Sequence, residues 1–474
     1  MTRRTTTRKT VAIIGGGVSG ALTALHLTQQ HVQARIVVID PRAELGLGLA
    51  YSTPSLRHLL NVPAAKISAL PDDPNHFLTW LRANHDASAT HETFAPRAVF
   101  GRYIQTLFAE AKNVEHIQTS AINLRLTETS GITAGILDLQ NGQELPCDFA
   151  ILATGNFDPA PLPGINDQLR STSAYHHNAW RPETYANLAP DAPVTLIGSG
   201  LTAVDVLLRL RELGHRGAIT AVSRHGILPN RHAGYTPLAD SAIPPGTPAT
   251  SIAYLRALRT TIRNGAEWRA AIDSLRASTN DLWLALPLAE QKRFRRHLQH
   301  RWDVVRHRMA PPIADTIDRE LANHTLILRA GNLSSVEIAS EGAAVTILTP
   351  HGPETFNSAR VINCTGPSMN YKRVNSPLFN SLFEQGLVTQ GPLGSGFNTT
   401  HDGAMIGRDG NASTMLFTLG PTRLGTLLES IAVPEIRQQS NELATLLSKR
   451  IAASEKYLQP RMPLIAPRSP MVGL

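Results

Sequence analysis

The chain has 474 residues, 42% of them hydrophobic and 17% charged, with a formal net charge of +8. That balance describes a folded protein of two or three domains around a large core and excludes a disordered or fibrous chain. Much of the basic excess sits in the first ten residues and in an arginine-rich segment at 293–308, so the charge does not by itself imply a nucleic-acid partner.

Residues 1–10, basic and free of acids, are expected to form a flexible basic arm rather than a transit peptide, because they lack an apolar face and run straight into a strand. The first unit then reads as strand (Val11 to Ile14), glycine turn, helix (Ala21 to Gln30) and strand (Arg35 to Asp40), the order of a mononucleotide-binding βαβ fold. Gly15 permits the tight turn, Gly17 lets the backbone approach a pyrophosphate, and Gly20 allows close packing of helix on strand. Ser19 lies in the same turn. Asp40 closes the second strand, where a carboxylate accepts hydrogen bonds from ribose hydroxyls.

A second unit repeats this logic. Gly198, Gly200, Thr202 and Ala203 follow the run Val194 to Ile197, a helix is expected over Leu201 to Arg211, and a strand Ala218 to Arg224 ends in Ser223 and Arg224 rather than an acid. A hydroxyl beside a guanidinium suits a 2′-phosphate, which favours NADPH over NADH here. Two apolar strands finish in Thr-Gly, at Thr154-Gly155 and at Thr365-Gly366, where glycine lets the chain pass close to a cofactor or neighbouring domain. Cys147 and Cys364 are far apart and are expected to be buried strand residues in a reducing cytoplasm, with no disulfide framework and no metal site.

Residues 226–330 exceed the needs of a mononucleotide fold and read as a helical insertion, with helices over Ile252 to Asn264, Glu267 to Ala277 and Glu290 to Arg308. In the last, Phe294, Leu298, Trp302, Val305 and Met309 share one face, and Pro311-Pro312 ends the helix. Its cations read either as a lid that receives an acidic substrate or an NADP phosphate through Arg301, Trp302 and Arg306, or as a structural ion-pair network.

The order of these motifs resembles the flavoproteins with two dinucleotide-binding domains. The segments Leu47 to Ser52, His58 to Pro63, Gly198 to Asp205 and Ser223 to Pro229 are similar to a bacterial FAD/NAD(P)-binding family related to class B and N-hydroxylating flavin monooxygenases. The resemblance implies an α/β fold with two Rossmann-like domains, the FAD domain discontinuous and the NAD(P)H domain carrying the helical insertion. Its expected boundaries are 11–165 and 356–474 for FAD and 166–355 for NAD(P)H, with the insertion at about 245–325. It places Gly46, Gly48, Tyr51 and Asn61 along the flavin, and Gly420, Thr422 and Leu424 at a helix start facing the flavin pyrimidine. Gly420-Pro421 stands where many reductases have Gly-Asp.

Dithiol chemistry is excluded, because the chain has no C-x-x-C or C-x4-C pair to take electrons from a flavin. His176 and Trp180 match the second half of the class B fingerprint F-x-G-x-x-x-H-x-x-x-W, while Arg170 and Thr172 replace the first half. This resemblance gives the two residues a role in locking the interdomain linker. The implied function is an FAD-dependent, NADPH-reduced cytoplasmic oxidoreductase, a monooxygenase that oxygenates a small N- or S-nucleophile through a flavin C4a-hydroperoxide. Its partners would be a small-molecule substrate and molecular oxygen, with no membrane. The alternatives are a dehydrogenase or reductase of a small organic acceptor, and a flavin-binding nucleic-acid-associated or regulatory protein.

Overall fold

The computed structural model describes residues 8–129 and 132–458. Residues 1–7 of the expected arm lie outside them, and Lys9 and Thr10, also assigned to the arm, instead open the first strand, where Lys9 Nζ meets Asp148 Oδ1 at 2.7 Å.

The first sheet has six strands in the order Ala404–Ile406, Ala412–Thr418, Phe149–Leu152, Lys9–Ile14, Ala34–Ile39, Val114–Ile117. All neighbours are parallel except the first pair. The second sheet is wholly parallel, in the order Leu326–Ala330, Ile219–Ser223, Val194–Ile197, Arg360–Asn363, Tyr175–His176. Its apolar central strands are covered on both faces, as parallel sheets require.

A repeat invisible in the glycine motifs emerges here. In each unit a three-stranded antiparallel meander, Ala121–Cys147 in the first and Asn332–Ser358 in the second, leads directly into the strand that ends in Thr-Gly. That strand packs under the unit's own glycine turn. A Cβ on Gly15 would lie 2.4 Å from the Ala153 carbonyl oxygen, and one on Gly198 would lie 2.5 Å from that of Cys364. The strand Arg360–Asn363 therefore belongs to the second sheet, and the boundary expected at 356 moves beyond Gly366. The meander forces this placement, because it returns the chain to its own unit before the last parallel strand.

The expected helix over Glu290 to Arg308 is two helices, Leu288–His297 and Gln299–Arg306, broken at Leu298, whose φ of −116° leaves the helical range. The expected helix start at Pro421 is a 3-10 segment, Gly420–Gly425, followed by the long helix Val433–Leu458, which packs on Val18–Gln29. Among the described residues no helix is long and apolar enough to cross a membrane.

His26, on Val18–Gln29, is buried near Arg437 of the long helix. Burial, reinforced by the Arg437 charge, holds its imidazole down to about 4. A depressed histidine pKa means that the unfolded chain binds the extra proton between about pH 6.5 and 4, so stability falls with acidification across that window. At pH 5 the expected loss is about 2 kcal/mol from this residue alone. Urea denaturation at pH 7 and pH 5 checks it, with His26→Gln expected to flatten the difference.

Candidate functional site

The first glycine turn leads into a helix whose start is open to an anion. The helix Val18–Gln29 has no acidic residue in its first turn, so its free N–H groups and positive dipole end are uncompensated. Gly46, at φ +90°, ties a covering loop to the turn by donating its N–H to the Gly16 carbonyl at 2.7 Å. A Cβ on Gly17 would lie 3.3 Å from Gly48 Cα, so both glycines are needed for this close approach. Tyr51 anchors the loop by packing on Phe100, with ring centroids 5.0 Å apart.

Asp40 sits under the turn, 2% exposed, and accepts from Gly16 N at 2.7 Å and Arg42 N at 2.8 Å. Burial works against its charge, but the Arg42 guanidinium and these amides prevail and hold the carboxyl below its ordinary value. Arg42 itself is half exposed, so ribose hydroxyls can replace it. Beside the turn the Thr154 hydroxyl is buried with no hydrogen-bond partner, and Gly155, at φ +69°, has nothing near its missing Cβ. An orphaned donor facing a glycine cradle fits an FAD pyrophosphate and ribityl chain.

Gly420 closes the same turn from the far side, since a Cβ there would lie 2.7 Å from Ser19 Oγ. Thr422 is fully buried and spends its hydroxyl on Thr418 and the Leu419 carbonyl, and the Leu424 carbonyl accepts from Arg295 at 3.2 Å. The Thr422 hydroxyl and the Leu424 carbonyl thus hold the segment in place.

At the second turn Gly198 has φ +116°, while Gly200 has nothing within 4 Å of its missing Cβ. Ala203 is buried against the sheet, and Thr202 lies in the first helical turn. Ser199 Oγ stands 2.8 Å from Ser223 Oγ, which couples the turn to the strand end where Arg224 is exposed. Beyond the last strand the Thr365 hydroxyl donates to Asn363 Oδ1 at 2.7 Å, and Gly366 takes φ +82°.

A clamp that the sequence did not announce joins the two units. Arg97 pairs with Asp205 of the second-unit helix at 2.5 Å, and both are largely buried. The His58 ring meets the Asp205 carbonyl through Nε2 at 2.9 Å and Thr53 Oγ1 through Nδ1 at 2.7 Å. The carbonyl can only accept, so Nε2 carries the proton and Nδ1 receives the threonine's. Trp180 closes the clamp, its ring 5.8 Å from the Arg97 guanidinium and edge-on to His58 at 6.4 Å. His176 does not join it. That residue is in the edge strand of the second sheet, beside Ile362, half-buried with Nε2 unpartnered.

A cavity of 580 Å³ opens between the Asn61–Lys66 segment, the insertion and residues 428–435. Asn61 lies in its wall, and its carbonyl meets His232 Nε2 at 3.0 Å. Two ion pairs brace the wall, Arg306 with Glu429 through two 2.7 Å bonds and Arg276 with Glu435 at 3.1 Å. Arg308, 1% exposed, and Tyr235 both donate to Asp273, yet Arg308 Nε and Nη1 have no partner. Lys66 completes the cationic side, with Nζ 3.5 Å from Tyr235 Oη.

Arg301, Trp302 and Arg306, expected to act together, do not converge. Arg306 faces this cavity already paired, whereas Arg301 and Trp302 line a separate apolar cavity of 490 Å³ within the insertion. All three lie in Gln299–Arg306, beyond the break at Leu298, and at 3.6 residues per turn Arg301 points about 140° away from Arg306 around that helix. Lys66, Arg97, Tyr235, Asp273 and Arg308 were missed because their meaning depends on partners distant along the chain.

Residues 12–157 match a family model described as FAD-NAD(P)-binding. The uncharacterised protein YdhS of Escherichia coli K12 is 26% identical over 258 residues, 47% of this chain and 46% of that protein. A Baeyer-Villiger monooxygenase of Streptomyces coelicolor is 25% identical over 213 residues, 43% of this chain and 33% of that protein. These matches therefore span less than half the length of either curated relative. The structure of an ornithine N-hydroxylase from Kutzneria sp. 744, with reduced FAD, NADP+ and L-ornithine, superposes with a TM-score of 0.67 at 14% identity, covering 94% of this chain and 99% of that one. The chain thus shares the overall fold of that N-hydroxylase, and residues 12–157 of its first unit match the FAD-NAD(P)-binding family model.

Proposed function

We propose that the protein is an FAD-dependent oxidoreductase reduced by NADPH, and that it acts as a monooxygenase on a small nucleophilic N or S centre. The observation that carries this reading is the docking of two nucleotide-binding units across the Arg97–Asp205 clamp, beside a cavity lined with charge. FAD belongs at the Gly15 turn with Asp40, Thr154 and the Gly46–Tyr51 loop, and NADPH at the Gly198 turn with Ser223 and Arg224. Bound there, the flavin supplies hydride acceptance and oxygen activation.

The protein's own residues supply alignment and exclusion of water. Trp180 fixes the angle between the units, and His176 steadies the edge of the second sheet. Asn61 borders the cavity that admits substrate. The free N–H groups of Arg308, with Lys66, favour a substrate that carries a carboxylate, because a buried guanidinium with open donors is stabilised by an added anion. Cys147 and Cys364 are both buried and lie in different units, which leaves no exposed dithiol as electron acceptor. The relationship to a Baeyer-Villiger monooxygenase and the likeness to an ornithine N-hydroxylase support oxygenation over simple dehydrogenation.

The decisive experiment reduces the flavin-loaded protein anaerobically with NADPH and with NADH, then admits oxygen in the presence of amine, amino-acid and thioether panels. Faster reduction by NADPH and a product that consumes oxygen without equal hydrogen peroxide are expected. Equal oxygen uptake and peroxide release with every compound overturns the monooxygenase reading.

A further inference from the structure

The break between Leu288–His297 and Gln299–Arg306 places basic groups where the cavity makes no use of them. His300, in the first turn of the second helix, stacks on His225, with ring centroids 4.0 Å apart and planes 26° from parallel. His225 follows Arg224 directly at the end of strand Ile219–Ser223, and Arg301 follows His300. Arg224, His225 and Arg301 are all exposed. Burial and then the charges of His225, Arg301 and Arg224 depress the His300 pKa, offset by Asp303, which is itself bonded to Gln299 at 2.7 Å. Two distant segments thus bring the His225–His300 stack together with the charges of Arg224 and Arg301, and among the described residues neither arginine forms an ion pair with a carboxylate.

Such a cluster opposes its own assembly, and an anion reverses the sign of that interaction. The position of the cluster defines which anion. In a dinucleotide-binding unit the residue after the second strand faces the adenosine ribose 2′ substituent. We propose that Arg224, His225, His300 and Arg301 form the receptor for the NADPH 2′-phosphate, with the helical insertion supplying half of it. The inference rests on the second unit being an NADPH site and adds that the insertion determines the preference for NADPH. A phosphate dianion there also draws Gln299–Arg306 against the second sheet, which links coenzyme binding to the position of the insertion that walls the substrate cavity.

The test is isothermal titration of the 474-residue protein with adenosine 2′,5′-bisphosphate, 5′-AMP and inorganic phosphate. Wild type is expected to bind the bisphosphate at least tenfold tighter than AMP. His300→Ala and Arg301→Gln are each expected to weaken bisphosphate about fivefold or more and leave AMP unchanged. If Arg224→Gln weakens the bisphosphate but neither insertion variant does, the insertion is not part of the receptor and the proposal falls. Inorganic phosphate that binds as tightly as the bisphosphate, and is lost with it in the variants, marks a general anion patch and overturns it as well. Failure of both nucleotides to bind wild type instead overturns the underlying reading of the second unit.

Discussion

Asp205→Ala is expected to destabilise the protein by about 3 kcal/mol, the cost of leaving a mostly buried guanidinium without its partner. In the sequence Asp205 is only the last residue of the Gly198 to Asp205 segment that carries the family resemblance, with no partner indicated. Its side chain instead reaches Arg97 of the first unit at 2.5 Å, with side-chain exposures of 10% and 17%. Among the described residues no second acid forms an ion pair with Arg97, whose guanidinium otherwise lies 5.8 Å from the Trp180 ring. The loss should therefore exceed that of a surface pair, which is typically about 1 kcal/mol or less.

The Arg97→Ala and Asp205→Ala double-mutant cycle should give a coupling energy of at least about 1.5 kcal/mol, measured by urea unfolding. Trp180→Phe keeps an aromatic face over Arg97 and should cost much less than either. A coupling energy near zero would show that the pair is incidental to the docking of the units. Reduction by NADPH should slow in both single variants even where flavin content is unchanged, because hydride transfer depends on how the two units are aligned.

The glycine turns, their strands and helices, and the Asp40 and Arg224 strand ends were legible because their signals are local. Turn geometry, helix capping and strand polarity are all decided within about ten residues. The two antiparallel meanders were not legible. Asn332–Ser358 alternates exposed and half-buried residues in its outer strands and buries only the alternating positions Ala343, Val345 and Ile347 in its middle one, so nothing in it announces that the strand Arg360–Asn363 must rejoin the second sheet. The arginine-rich helix shows the opposite failure. Its apolar periodicity through Phe294, Leu298 and Trp302 persists in the packing, with Phe294 against Trp302 at 6.5 Å, yet the chain breaks at Leu298. Periodicity reports which residues face inward and not whether the backbone between them is continuous. The Arg308–Asp273–Tyr235 cluster and the Arg97–Asp205 clamp were beyond reach for a simpler reason, that each joins residues far apart in the chain.

The two dinucleotide sites can be separated by glycine substitutions whose structural costs differ. Gly15→Ala combines a φ of +106° with a Cβ 2.4 Å from the Ala153 carbonyl oxygen, so the turn must move and the first strand with it. FAD retained through purification is expected to fall at least tenfold, together with a lower melting temperature. Gly200→Ala is the sharper probe. Its Cβ meets no protein atom within 4 Å, and its φ of −79° is open to any residue, so the fold should tolerate the change. The added methyl lies at the start of the second-unit helix, where the backbone must approach a pyrophosphate. Gly200→Ala should therefore keep its flavin, its melting temperature and its reduction by dithionite, while the apparent affinity for NADPH falls about tenfold or more. An unchanged NADPH dependence would remove the Gly198 turn from the coenzyme site. Loss of flavin instead would mean that the two turns have been assigned in the wrong order.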